Sequence, residues 1–205
     1  PPMELKEINK TIVDNFILTY ILIVASVIAL LEFFNINSIL NKKNKMKQVF
    51  LNFIFALYIL IFSTFFLIFS LHFHLKLLLF IILITCVASD IGGFVFGKIF
   101  KGPKLTKISP NKTIFGSVGS FIFSITTVLC ITYYLTKILD PYLIIVGLLT
   151  SFGCQIGDLF FSYLKRKTFL KDTGNFLPGH GGILDRIDGL LLGIPAGYLI
   201  LLILY

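Results

Sequence analysis

The stretch LKLLLFIILITCVASDIGGFVF, from Leu75 to Phe96, decides the fold. Its 22 residues include only two charges, Lys76 and Asp90. The hydrocarbon core of a bilayer is about 30 Å thick, so a helix needs about 20 predominantly apolar residues to cross it. Leu75 to Phe96 meets that length, and its opening LKLLLFIILI suits contact with lipid.

Five further stretches read the same way: Asn15 to Phe34, Val49 to Leu71, Gly116 to Leu135, Tyr142 to Phe161 and Gly189 to Tyr205. The chain has 205 residues, of which 57% are hydrophobic, above the roughly 45 to 50% of a soluble domain. The expectation is an all-α, polytopic integral membrane bundle of six transmembrane helices. It forms a single multi-span domain over residues 1–205, with a cytoplasmic loop at 162–188. The first apolar stretch is long, lacks a small-residue cleavage site and is followed by lysines, so it reads as a span and not a cleaved signal. The PPMELKEINK start suggests a trimmed amino terminus.

Cys86, Cys130 and Cys154 lie within predicted spans without paired spacing, which suggests neither a disulfide framework nor a metal knuckle. A net charge of +8 would suit nucleic acid, but its distribution points elsewhere. Of the 18 Lys and Arg, fourteen fall in Lys42–Lys47, Lys98–Lys112 and Lys165–Arg186, all in alternate loops. That asymmetry follows the positive-inside rule with those loops cytoplasmic. No nucleic-acid partner is expected.

Five of the ten acidic residues, Asp90, Asp158, Asp172, Asp185 and Asp188, lie at cytoplasmic ends of spans or in the last cytoplasmic loop. A carboxylate within hydrocarbon is costly, which makes an intramembrane acid a functional candidate with a partner. The plain alternative is that each acid caps a helix or pairs with a neighbouring lysine. Asp158, Ser162 and Lys165 fall at i, i+4 and i+7, one polar stripe on a helix. Asp185 and Asp188, in GILDRIDG, share a face.

Carboxylates so placed would hold a hard divalent cation, and Lys165, Arg166, Lys171 and Arg186 around them would take phosphate oxygens. Mg²⁺ uses one or two carboxylates plus substrate phosphates, and no Cys or His constellation argues for zinc. The glycines of PGHGG would let backbone approach a phosphate, although taken alone they read more readily as an ordinary loop after Pro178. His180 offers a phosphate donor or general acid, or simple loop packing. Ser109, Lys112 and Thr113, in ISPNKT, add anion-binding side chains to a loop whose lysines topology alone explains. GGFVFGKI, from Gly92 to Ile99, fits G-x-x-x-x-G-K but lacks the Ser or Thr a P-loop needs and follows no strand. Its glycines read as close helix packing, or as room for substrate beside Asp90.

The segment SYLKRKTFLKDTGNFLPGHGGILDRID, from Ser162 to Asp188, resembles the signature of the phosphatidate cytidylyltransferase (CDP-diacylglycerol synthase) family. SDIGGFVFGK and ISPNKTIFGS are similar to upstream blocks of that family, in the same order, so the resemblance runs from Ala88 onward. Two departures stand out: Phe161 replaces an acidic residue before the signature serine, and Ile114 and Phe115 replace Trp then Glu or Gln.

The resemblance implies a multi-span, often dimeric enzyme that converts CTP and phosphatidate into CDP-diacylglycerol and pyrophosphate at the membrane surface. It implies a Mg²⁺ site on Asp158 and Asp185, with room for a second cation, and a catalytic set of Asp158, Asp185, Lys171 and Asp188. Lys165, Arg166 and Arg186 would bind phosphates. Ser109, Lys112 and Thr113 would hold the lipid phosphate or CTP, Asp172 a basic residue or the ribose, and Asp90 would support the metal cluster. The partner is membrane lipid; the distribution of basic residues sets the site on the cytoplasmic side, and the small size and simple topology suggest a bacterial inner membrane, with an organellar membrane as the alternative. Rival readings are a CTP-dependent lipid kinase, a cytidylyltransferase for another lipid phosphate, an ion transporter and a degenerate scaffold.

Overall fold

The structure, a computed structural model, describes residues 2–106, 108–174, 176 and 181–204. Among these residues are six α-helices and no named strand: α1 (Pro2–Leu40), α2 (Lys45–Leu71), α3 (Phe73–Phe100), α4 (Ile114–Thr136), α5 (Leu143–Lys167) and α6 (Leu184–Leu204). All six are long and apolar enough to cross a membrane. Helices satisfy their own backbone groups, which hydrocarbon demands of any spanning segment.

Several helices outrun the predicted spans. Hydropathy marks only the part suited to lipid, whereas Lys, Arg, Leu and Phe continue a helix into the interface at little cost. The sequence expectation of a loop over 162–188 is corrected for the same reason. Residues 162–167 finish α5 and 184–188 open α6, which leaves 168–183 as the connection. Local chemistry sets other boundaries. Asn44 caps α2 by accepting from the Lys47 amide at 3.0 Å, Thr113 caps α4 by accepting from the Gly116 amide at 3.0 Å, and Lys137 ends α4 in the left-handed region at φ 61°.

Cα packing divides the chain into two compact units, Pro1–Lys76 with Thr173–Leu184, and Leu77–Asp172 with Asp185–Tyr205. In the first, α1 packs along α2. Phe33 stacks on Phe55 at 3.8 Å, Ser26 and Ser63 share a hydrogen bond of 2.8 Å, and Asn37 donates to Asn52 at 2.6 Å and to the Gln48 carbonyl at 2.9 Å. Lipid gives apolar faces little reason to associate, so such bonds and close packing join membrane helices. The carboxylate of Glu32, buried on α1, accepts from the Thr173 hydroxyl at 2.8 Å and from the amides of Ile183 and Leu184 at 3.0 and 2.8 Å.

The second unit is built around α5, 44% of whose apolar window is buried, the largest share of the six. Ile81, Val128, Leu143 and Val146 form a core cluster from α3, α4 and α5. Small residues set the spacing. A Cβ on Gly92 would lie 2.5 Å from the Gly119 carbonyl oxygen, and one on Gly119 would lie 2.6 Å from that of Gly92. The same holds between α5 and α6, where a side chain on Gly153 would meet the Leu192 carbonyl oxygen at 2.8 Å. Ser89 and Ser151 hydrogen-bond at 2.7 Å between α3 and α5. Cys86 and Cys154 are buried free thiols, hydrogen-bonded to each other beside Gly193.

The glycine contact between α3 and α4 leaves no room for a methyl group, because the opposing atoms include backbone. Gly119→Ala should lower stability by about 1–3 kcal/mol, the range for overpacking a filled interface. The check is the thermal unfolding midpoint in detergent micelles, where Val118→Ala on the exposed side of the same helix should change little.

Candidate functional site

Three short devices in the second unit assemble a polar pocket. The glycines of SDIGGFVFGK bring α3 against α4: a side chain on Gly93 would meet the Ser120 hydroxyl at 2.6 Å, and one on Gly97 would meet the Thr113 hydroxyl at 3.2 Å. This is the close packing expected of them, and Gly93 also lines the pocket beside Asp90.

The connection before α4 is folded onto itself. Lys104 bridges to Thr113, the Leu105 amide donates to the Lys112 carbonyl at 2.8 Å, the Lys112 amide to the Ser109 carbonyl at 3.1 Å and the Ile114 amide to the Pro103 carbonyl at 3.0 Å. Three backbone hydrogen bonds thus hold Ser109 and Lys112 in place.

On α5, Gln155 and Asp158 sit three residues apart and so face the same way. With Asp90, Ser109, Asn111, Lys112, Thr113, Ser117 and Ser120 they line a cavity of about 370 Å³. The Lys112 ammonium forms an ion pair with the Asp158 carboxylate, and both are within electrostatic reach of Asp90. Ser117 donates to Gln155, whose amide donates to Ser151 at 3.2 Å.

Further along α5 the expected polar stripe divides. Ser162 is 3.5 Å from Asp158, whereas Lys165 turns to Asp185 on α6 and pairs with it at 2.5 Å. The buried Asp188 accepts from the Gly189 amide at 2.8 Å and is within electrostatic reach of Asp158, Lys165 and Asp185. Gly157 makes this possible: a side chain there would run into the Asp188 carbonyl, so the residue before Asp158 lets α6 close in.

The second unit thus brings together Asp90, Ser109, Lys112, Thr113, Asp158, Lys165, Asp185 and Asp188. Each paired acid has a lysine partner, but a distant one in sequence. Arg166 lies apart, in a surface groove of about 480 Å³ with Ile108, Pro110, Tyr163 and Lys167. Lys171 and Asp172 are exposed on the connection, as is Arg186 in the first turn of α6. His180 lies outside the described residues. Sequence reading missed Asn111, Ser117, Ser120 and Gln155. Gln155 was findable as the residue one turn before Asp158, and Ser117 and Ser120 as an i, i+3 pair following the Thr113 cap.

Among the described residues no group of three His, Cys, Asp or Glu could hold a metal ion by itself. The donors present are all hard carboxylate oxygens, flanked by two ammonium groups. That set fits a Mg²⁺ ion, which needs only one or two carboxylates when phosphate and water complete its shell.

A sequence profile of the cytidylyltransferase family matches residues 5–204. The chain belongs to that family. Among its curated relatives is the phosphatidate cytidylyltransferase of Mycobacterium leprae (strain TN), 44% identical over 118 residues, 55% of this chain and 36% of that protein. The Mycobacterium tuberculosis (strain H37Rv) protein of that name is 38% identical over 128 residues, 61% of this chain and 38% of its own length. The one from Rickettsia prowazekii (strain Madrid E) is 39% identical over 132 residues, 60% of this chain and 58% of its own length. The chain therefore spans less than two thirds of the curated relatives it matches.

The two ion pairs should differ in energy. The side chains of Lys165 and Asp185 are 13% and 11% exposed, against 25% and 35% for Lys112 and Asp158. Removing one partner of a largely buried pair costs about 3–5 kcal/mol, a solvated pair about 1 or less. Lys165→Met should therefore destabilise the protein strongly, Lys112→Met little, and Lys165→Met with Asp185→Leu should regain most of the loss. Denaturant unfolding in mixed micelles measures all three.

Proposed function

We propose that this chain transfers the cytidylyl group of CTP to phosphatidate, giving CDP-diacylglycerol and pyrophosphate, with its site facing the cytoplasm. The single observation that carries the reading is the pairing of Asp158 with Lys112 and Asp185 with Lys165, in a chain whose named relatives are phosphatidate cytidylyltransferases. The cytoplasmic orientation is supported by fourteen of 18 basic residues lying in alternate loops.

The chemistry follows from charge. An oxygen of the phosphatidate phosphate attacks the α-phosphorus of CTP; a P–O bond forms as the bond to the β-phosphate bridge breaks, and pyrophosphate leaves with the electron pair. The attacking phosphate is already anionic, so no covalent protein nucleophile is required. Most of the work is holding several negative groups together in line.

Lys112 and Ser109 on the pinned loop would seat one phosphate, and Lys165, with Arg186 at the start of α6, another. Asp158 and Asp185 would hold Mg²⁺, which when bound supplies charge neutralisation for the triphosphate and leaving group. Asp188 would keep the carboxylates oriented. Asp90 would shape the inner end of the cavity. Burying these charges in a low-dielectric pocket strengthens each interaction with phosphate.

The test uses purified protein in lipid micelles with phosphatidate, Mg²⁺ and CTP labelled at the α- or the γ-phosphate. Label should reach the lipid from α-labelled CTP only; transfer from γ-labelled CTP would make the protein a kinase. Asp185→Asn should reduce turnover by about 10³-fold per folded molecule, the scale of removing a charge stabiliser of the transition state, on top of the loss of stability that breaking the buried pair with Lys165 brings. Chelation should abolish transfer and Mg²⁺ restore it. Near-normal Mg²⁺-dependent activity in the variant would sink the metal assignment.

A further inference from the structure

The first unit holds a buried charge that the reaction does not use. Glu32 lies in the first apolar helix and is 7% exposed, a costly place for a carboxylate unless its oxygens are satisfied. All three of its observed donors come from the connection into α6. They are the Thr173 hydroxyl at 2.8 Å, the Ile183 amide at 3.0 Å and the Leu184 amide at 2.8 Å. Two of these are the amides where α6 begins, donors that a helix start leaves without backbone partners. Glu32 caps α6 from another helix.

The glycines of the signature confirm how specific the fit is. A Cβ on Gly174 would lie 2.6, 2.9 and 3.0 Å from Oε1, Cδ and Cγ of Glu32, its three nearest atoms. A Cβ on Gly182 would collide with the Thr173 hydroxyl and lie 2.5 Å from Oε2 of Glu32. From the sequence, Gly182 reads as room for a phosphate or as part of an ordinary loop after Pro178. What its missing side chain makes room for is Glu32 and Thr173.

We propose that Glu32 is a positioning residue, which fixes both ends of the Thr173–Leu184 segment and so sets the chain leading into Asp185. Its influence on the acids runs through the peptide bond from Leu184 to Asp185, since its own contacts lie within the first unit. The proposal rests on the cytidylyl-transfer reading for its kinetic consequence alone. When the anchor is lost, the segment samples other arrangements, and nucleotide binding must select the competent one. The apparent affinity then falls by the fraction populated while the bound complex still turns over.

Glu32→Gln replaces one acceptor oxygen by a donor, which faces an amide or hydroxyl donor. In micelles it should raise the KM for CTP about tenfold or more, from the weight of a hydrogen bond to a charged group, and leave kcat within about threefold. Hydrogen exchange at Ile183 and Leu184 should accelerate while that of α4 and α5 stays as in the wild type. Gly174→Ala should act in the same direction, yet add less than about twofold once Glu32→Ala has emptied the space, the non-additivity expected of touching groups.

Unchanged exchange and KM in Glu32→Gln would overturn the proposal, as would additive effects of Gly174→Ala and Glu32→Ala. If Glu32→Gln unfolds the whole chain, Thr173→Val decides. It removes one donor and keeps the carboxylate, so raised KM with local exchange supports the anchor, and wild-type values for both overturn it. If the wild type moves no α-label to phosphatidate, the cytidylyl-transfer reading fails, and the exchange measurements still judge Glu32.

Discussion

A charged group within a membrane-spanning helix must be given partners by the protein, because lipid supplies none. In this chain that constraint determines which helices meet and where. Asp158 meets Lys112 from the connection before α4, Asp185 meets Lys165 from α5, and Glu32 meets three donors from the connection into α6. Apolar faces made of Leu, Ile and Phe are as content with lipid as with one another, so they fix no such arrangement. The ionic and polar contacts supply specificity where the hydrophobic effect is weak.

Glycine makes these contacts possible. Gly157 admits the α6 backbone beside Asp158, Gly93 and Gly97 admit α4 beside Asp90, and Gly174 and Gly182 admit the Glu32 carboxylate. Gly157 and Gly93 are close in sequence to the acids they serve, whereas Gly174 and Gly182 are far from Glu32 along the chain. Close backbone approach shortens the distance over which opposite charges interact, and attraction grows as that distance falls. A larger residue at any of these positions would separate the very groups that must be adjacent, so their effect on the site exceeds their size.

Much of this was legible in the sequence. Six spans are written in runs of apolar residues, Asp90 and Asp158 stand out because acids are rare in such runs, and Asp185 belongs to the motif GILDRIDG before the last run. The i, i+3 and i, i+4 spacing placed Asp158 with Ser162. What spacing cannot give is the partner across space: Lys165 lies on the same stripe as Asp158 yet reaches Asp185, and Lys112 comes from a loop whose fold depends on three backbone hydrogen bonds. Gln155 carries no charge and was passed over for that reason. Glu32 was readable by the rule that picked out Asp90, an acid inside an apolar run, but its donors lie 141 to 152 residues away.

The family signature takes on a physical meaning from these contacts. Its lysine, aspartates and glycines look from the sequence like one phosphate-binding loop, but they divide by task. Lys165 and Asp185 form the buried pair of the second unit, whereas Thr173, Gly174 and Gly182 are complementary to a carboxylate of the first. A segment bound at both ends loses much of its conformational freedom, and fixing a residue's backbone costs about 1–2 kcal/mol at ordinary temperature. The hydrogen bonds to Glu32 offset part of that cost on folding. In the proposed reaction a nucleotide arriving from water would meet charges already in place, and its own binding energy would remain available for aligning the reacting phosphates.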